Sequence, residues 1–132
     1  MIRTLFLAAL LATPAAADEI WTSDYGRITY EDEIDGAALF AFRHPGGQRA
    51  MLYIPGLAGN YDNRHTHRAY WFGEGPGFCE MALSAGGAAP SRNWGQALIS
   101  FDTPAFPTSF TLTMGDCFDP LSYSLRAETW SE

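Results

Sequence analysis

Residues 37–54 read AALFAFRHPGGQRAMLYI, two apolar runs separated by the quartet His44-Pro45-Gly46-Gly47. Pro fixes φ at the second position of a four-residue turn and Gly accepts positive φ at the third, so the quartet predicts a type II turn with Gly46 at positive φ. The flanking Leu, Phe, Met, Tyr and Ile favour extended backbone, and the whole segment reads as a β-hairpin. Just before it, Asp35-Gly36 predicts a second tight turn. That turn joins the hairpin to a strand over residues 27–34, where Ile28 and Tyr30 alternate with polar residues.

The same grammar continues to the C-terminus. Strands are predicted over residues 68–72, 78–82, 97–101, 109–114 and 121–127. In the last two, Phe110, Leu112 and Met114, then Leu121, Tyr123 and Leu125, recur at period 2, the pattern of a sheet buried on one face. Gly and Pro punctuate the joins, and no stretch keeps a helical period. The expectation is an all-β fold: a small antiparallel β-sandwich or barrel of about eight short strands. Two long loops interrupt the pattern, over residues 55–67 and 83–96, and loops of that length usually carry a role.

The N-terminus reads differently. Arg3 precedes the apolar run Leu5–Ala12, Pro14 breaks it, and Ala15-Ala16-Ala17 offers small residues for a peptidase. These features describe a cleavable Sec signal peptide over residues 1–17, followed by a single β domain over 18–132. An eight-residue run is too short to span a bilayer, so no stable membrane insertion is expected after cleavage. The protein is expected in the periplasm or secreted space. There, Cys79 and Cys117, the only two cysteines, read as one disulfide.

Without those 17 residues the chain has seven arginines against fifteen acids, a net charge of −8, and no lysine. Such a balance argues against nucleic acid and anionic membrane surfaces as main partners. The charge is uneven: seven acids lie between Asp18 and Asp35, whereas four arginines and all three histidines lie between Arg43 and Arg68. The basic segment is either a recognition surface or the polar partner of the acidic one. Glu31-Asp32-Glu33 reads as an exposed strand rather than a catalytic pair.

Motifs for nucleophilic elbows, zinc helices, P-loops and dinucleotide binding are all missing from the sequence. Enzymatic activity is therefore not the leading expectation, although a small hydrolase assembled from scattered residues stays open. His65 and His67 are two apart, so an extended backbone would point both imidazoles at one Zn or Cu ion, a second alternative. The leading expectation is a non-enzymatic binding module of the bacterial envelope that recognises an envelope protein or glycan and needs no cofactor. Its candidate binding residues are Tyr61, Arg64, His65, His67, Arg68 and Trp71 around the first long loop, with Arg92 and Trp94 in the second. Aromatic faces and guanidinium forks are the groups that concentrate binding energy.

Overall fold

The computed structural model describes residues 19–57, 64–85, 87–104 and 107–130; the segment read as a signal peptide lies outside them, as do Tyr61 and Asp62. Eight strands follow in order: β1 (Ile20–Ser23), β2 (Gly26–Ile34), β3 (Ala37–Arg43), β4 (Arg49–Pro55), β5 (Thr66–Gly73), β6 (Trp94–Phe101), β7 (Phe110–Met114) and β8 (Tyr123–Thr129). Each pairs antiparallel with the next, and β1 pairs with β8, so the sheet closes into a barrel with no free edge. Of the two all-β architectures expected, the chain adopts the barrel.

The hairpin expected over residues 37–54 is present as β3 and β4, with Arg43 opposite Arg49 at its end. Its turn differs from the expected type II. Positive φ falls on Gly47 (103°) and not on Gly46, while the Gly47 N–H donates to the His44 carbonyl at 2.8 Å. A tight turn followed by a glycine at positive φ matches the twist of the strands better than a type II turn does. The imidazole contributes too, because His44 Nδ1 accepts from the Gly46 N–H at 2.9 Å. At the other turn Asp35 (53°) and Gly36 (83°) both have positive φ, the requirement of a two-residue type I′ hairpin.

Two strand assignments change. The expected strand at 78–82 is irregular chain outside the barrel, and Phe78, which alternation would bury, is 76% exposed. Its backbone is satisfied without a ladder: the Cys79 N–H donates to the Arg92 carbonyl, and Arg92 Nη1 donates back to the carbonyls of Cys79 (3.0 Å) and Glu80 (2.5 Å). The eighth strand comes instead from β1, within the acidic N-terminal segment, where Trp21 faces inward. Glu31 forms a bulge between Tyr30 and Asp32, so the three acids at 31–33 stay exposed although the alternation of β2 breaks there.

The interior is filled by side chains, as expected for eight strands. Trp21 stacks on Phe40 at 4.9 Å and meets Phe110 edge-on at 5.1 Å, and Leu52, Ile99, Leu112 and Met114 complete the layer. A polar cap closes each end. At one, Arg64 Nη2 donates to Glu19 Oε1 at 3.0 Å and Trp21 Nε1 to the Thr108 carbonyl. At the other, His44 lies against Trp71 and reaches the Tyr123 hydroxyl at 2.8 Å, which donates to Asp116 Oδ1 at 2.5 Å.

A second layer lies outside the barrel. In β3 the inward residues are Ala38, Phe40 and Phe42, yet outward Ala37 and Leu39 are also buried. The connection between β5 and β6 runs over this outer face. Leu83 and Ser91 exchange backbone hydrogen bonds (2.7 and 2.9 Å), and Gly87 at the tip sits beside Ile34 at the end of β2. The Cys79–Cys117 disulfide ties this connection to the β7–β8 loop.

Candidate functional site

Between the outer face of β2–β5 and the 82–92 connection lies a groove of about 1260 Å³. Its floor follows from strand register: Thr29 pairs with Ala41, Ala41 with Met51, and Met51 with Phe72, a single row across four strands. Ala82, Ala88, Ala89 and Pro90 form the opposite wall, so most of the lining offers no hydrogen-bonding side chain.

The mouth has another chemistry. One row nearer the turns stand Arg27, Arg43 and Arg49, and Arg92 joins them from the connection, with Glu74 the single acid of the lining. Arg43 and Arg49 are direct cross-strand partners, an arrangement that like charges make unfavourable. Arg43 Nη1 donates to the Gly47 carbonyl at 2.6 Å, and Arg27 stacks over the Trp130 ring at 4.2 Å. Arg49 is exposed, and its guanidinium has no hydrogen bond or ion pair among the described residues. The groove is therefore amphipathic along its length, cationic at the mouth and apolar within.

Close backbone contacts hold the wall in place. A Cβ on Gly77 would collide with the backbone of Arg92 and Asn93, so only glycine lets the two arms of the connection pack together there. Asn93 Nδ2 donates to the Glu74 carbonyl at 2.7 Å, and Trp94 Nε1 to the Met81 carbonyl at 2.8 Å.

The residues selected from sequence are distributed differently. Arg92 lines the groove and also braces its wall. Trp71, 3% exposed, is interior, its indole donating to the Gly115 carbonyl at 2.9 Å, whereas Trp94, also 3% exposed, lies on the outer face opposite Phe72 and is buried beneath the connection. Arg64, 1% exposed, is interior as well, so these three present no surface to a partner. Arg68 and His65 are exposed, His67 is half-buried, and Tyr61 lies outside the described residues. Among the described residues no three His, Cys, Asp or Glu side chains gather as a metal site would require. Within the basic segment, Arg64 pairs with Glu19 of the acidic segment, whereas Arg43 and Arg49 line the groove.

The cap at the β3–β4 end joins an imidazole, a hydroxyl and a carboxylate in one hydrogen-bonded chain. His44 Nδ1 accepts from Gly46, which puts the ring proton on Nε2, directed at Tyr123 Oη. Both nitrogens are thus engaged. Burial holds the His44 pKa below its ordinary value, against the raising influence of Asp116, and burial together with Asp116 pushes the Tyr123 hydroxyl well above the phenol range.

The groove residues missed in the sequence were within reach of it. Arg43 and Arg49 flank the turn symmetrically, so the hairpin alone pairs them, and Met51 lies two residues further on the same face. Phe72 and the wall required the path of the 82–92 connection, which no local pattern encodes.

Comparison with known proteins adds no relative: no family model matches the chain. Neither curated proteins nor solved structures provide a match. The disulfide is consistent with an oxidising, extracytoplasmic compartment.

Proposed function

We propose that the protein is an exported, non-enzymatic binding module of the bacterial envelope, periplasmic or secreted, whose ligand seats in the groove between the outer face of β2–β5 and the 82–92 connection. The observation that carries this reading is the groove itself. A packed barrel has no need of a second layer, yet here a disulfide-tied connection encloses an apolar floor beneath a cationic mouth. Large apolar clefts with a few convergent charged groups are the usual form of a ligand site. The loop-borne surface expected from sequence thus gives way to a site built on rigid strands, with Arg92 common to both.

The test is a blocked groove. Ala41→Trp places an indole on the floor from a half-buried outward position, without touching the interior. Wild type and variant are incubated with envelope extract, repurified and compared by native mass spectrometry, with thermal melts to confirm folding. A small-molecule adduct carried by the wild type and missing from the folded variant is the expected result. The same adduct on both proteins, or none on either, overturns the reading.

A further inference from the structure

Resting on that reading, we infer that the groove takes a long-chain carboxylate, a fatty acid with its headgroup among Arg43, Arg49 and Arg27 and its chain over Ala41, Met51 and Phe72. Three features of the groove lead to this occupant.

The first is charge complementarity. The chain as a whole carries a net charge of −7, yet four arginines meet one acid, Glu74, at this mouth. Arg43 and Arg49 are set side by side by the β3–β4 register, so an anion placed between them would relieve their mutual repulsion. Arg49 is the free fork of the pair, because Arg43 is already held by the Gly47 carbonyl. A carboxylate accepts two parallel N–H bonds from one guanidinium, the strongest form of such a contact.

The second is the order of the chemistry along the strands. Charge stands on the row of Arg43 and Arg49, and the apolar row of Ala41, Met51 and Phe72 begins two residues further in, beneath the wall of Ala88, Ala89 and Pro90. A ligand matching that order has one anionic end and an extended apolar body. A compact dianion would leave the floor uncovered, and a neutral hydrocarbon would leave the arginines unanswered.

The third is what the floor lacks. An acidic peptide in the groove would need hydrogen bonds for its own backbone, and extended peptides obtain them from an exposed sheet edge. This barrel is closed, so the floor strands give their backbone groups to one another. An acyl chain asks for no hydrogen bonds.

The experiment is calorimetric titration of the oxidised protein with dodecanoate below its micelle-forming concentration. Dodecyl maltoside and dodecyltrimethylammonium serve as neutral and cationic controls. Saturable one-to-one binding of dodecanoate is expected, weakened at least tenfold in Arg43→Ala/Arg49→Ala. Both side chains are exposed, so that variant should melt like the wild type. Ala41→Trp should abolish binding. Equal binding of the neutral amphiphile, unaffected by loss of the two arginines, would overturn the carboxylate while leaving the groove as the site. Absence of dodecanoate binding, with an extract-derived adduct that still disappears in Ala41→Trp, would do the same. Absence of both would remove the groove reading with it.

Discussion

Arg64 and Glu19 form an ion pair inside the barrel end, Nη2 to Oε1 at 3.0 Å, with side-chain exposures of 1% and 5%. The Arg64 guanidinium also lies 5.3 Å from the centre of the Phe101 ring. Removing one partner of such a pair leaves an uncompensated buried charge, whereas replacing both by apolar groups is often neutral. Glu19→Leu, which leaves the Arg64 cation buried without its carboxylate, should therefore cost about 3–5 kcal/mol in guanidinium denaturation, and Glu19→Leu/Arg64→Met should recover most of it. A double variant as unstable as the single one would refute this account of the cap.

Burial pushes the Glu19 pKa from its ordinary value of 4.5 up to about 7, outweighing the lowering influence of Arg64. The native state then holds this proton more tightly than the unfolded chain does. The contribution to stability is complete below about 4.5 and fades as pH rises through about 7. Thermal melts between pH 4.5 and 8 should show a falling component that Glu19→Gln removes; identical profiles would contradict it.

The opposite cap has the opposite sign. His44 is held neutral by burial, with its pKa below 6.5, so its contribution is present above that value and lost as pH falls. Its imidazole resonances in a proton NMR titration should shift with a midpoint below 6.5. Tyr123→Phe, which strips both His44 and Asp116 of their shared partner, should destabilise by about 1–3 kcal/mol. A His44 midpoint above 6.5 would mean that the ring carries charge in the folded state.

The disulfide closes a loop spanning 38 residues. Chain-entropy arguments put its contribution at about 4 kcal/mol. Cys79→Ser/Cys117→Ser should lose stability on that order while keeping the barrel, since neither cysteine belongs to one of the eight strands. Hydrogen exchange should accelerate first at Cys79, Leu83 and Ser91, whose N–H groups hold the connection together. Uniform acceleration across all strands would show instead that barrel and wall unfold as one.

Gly95 permits the closest backbone approach in β6, because a Cβ there would collide with the Gly115 carbonyl and the Trp71 indole nitrogen. Gly95→Ala should break the Trp71–Gly115 hydrogen bond and cost on the order of 3 kcal/mol, read as a fall in the denaturation midpoint.

Period-2 alternation and turn residues revealed β2 to β8, and β3, whose outward Ala37 and Leu39 are buried as well, was marked by the turns on either side of it. The pattern failed at residues 78–82, where aromatic and apolar residues serve an outer layer and Arg92, rather than a neighbouring strand, satisfies the backbone. It also missed β1, four residues long with Trp21 as its single buried anchor. Arg and Trp were recognised as important types, but burial decided their use. Trp71 and Arg64 serve the interior, Trp94 is buried beneath the outer connection, and two of the arginines that face the groove, Arg43 and Arg49, flank the β3–β4 turn.

The ladder between β1 and β8, which places Trp21 opposite Thr129, has a consequence for the chain's connectivity. Every strand neighbours the ones before and after it, and the first neighbours the last. The architecture thus has no topological beginning. A circular permutant that joins Trp130 to Glu19 through a short linker and opens the chain between Asp24 and Tyr25, in the exposed β1–β2 turn, would retain every pairing of the barrel.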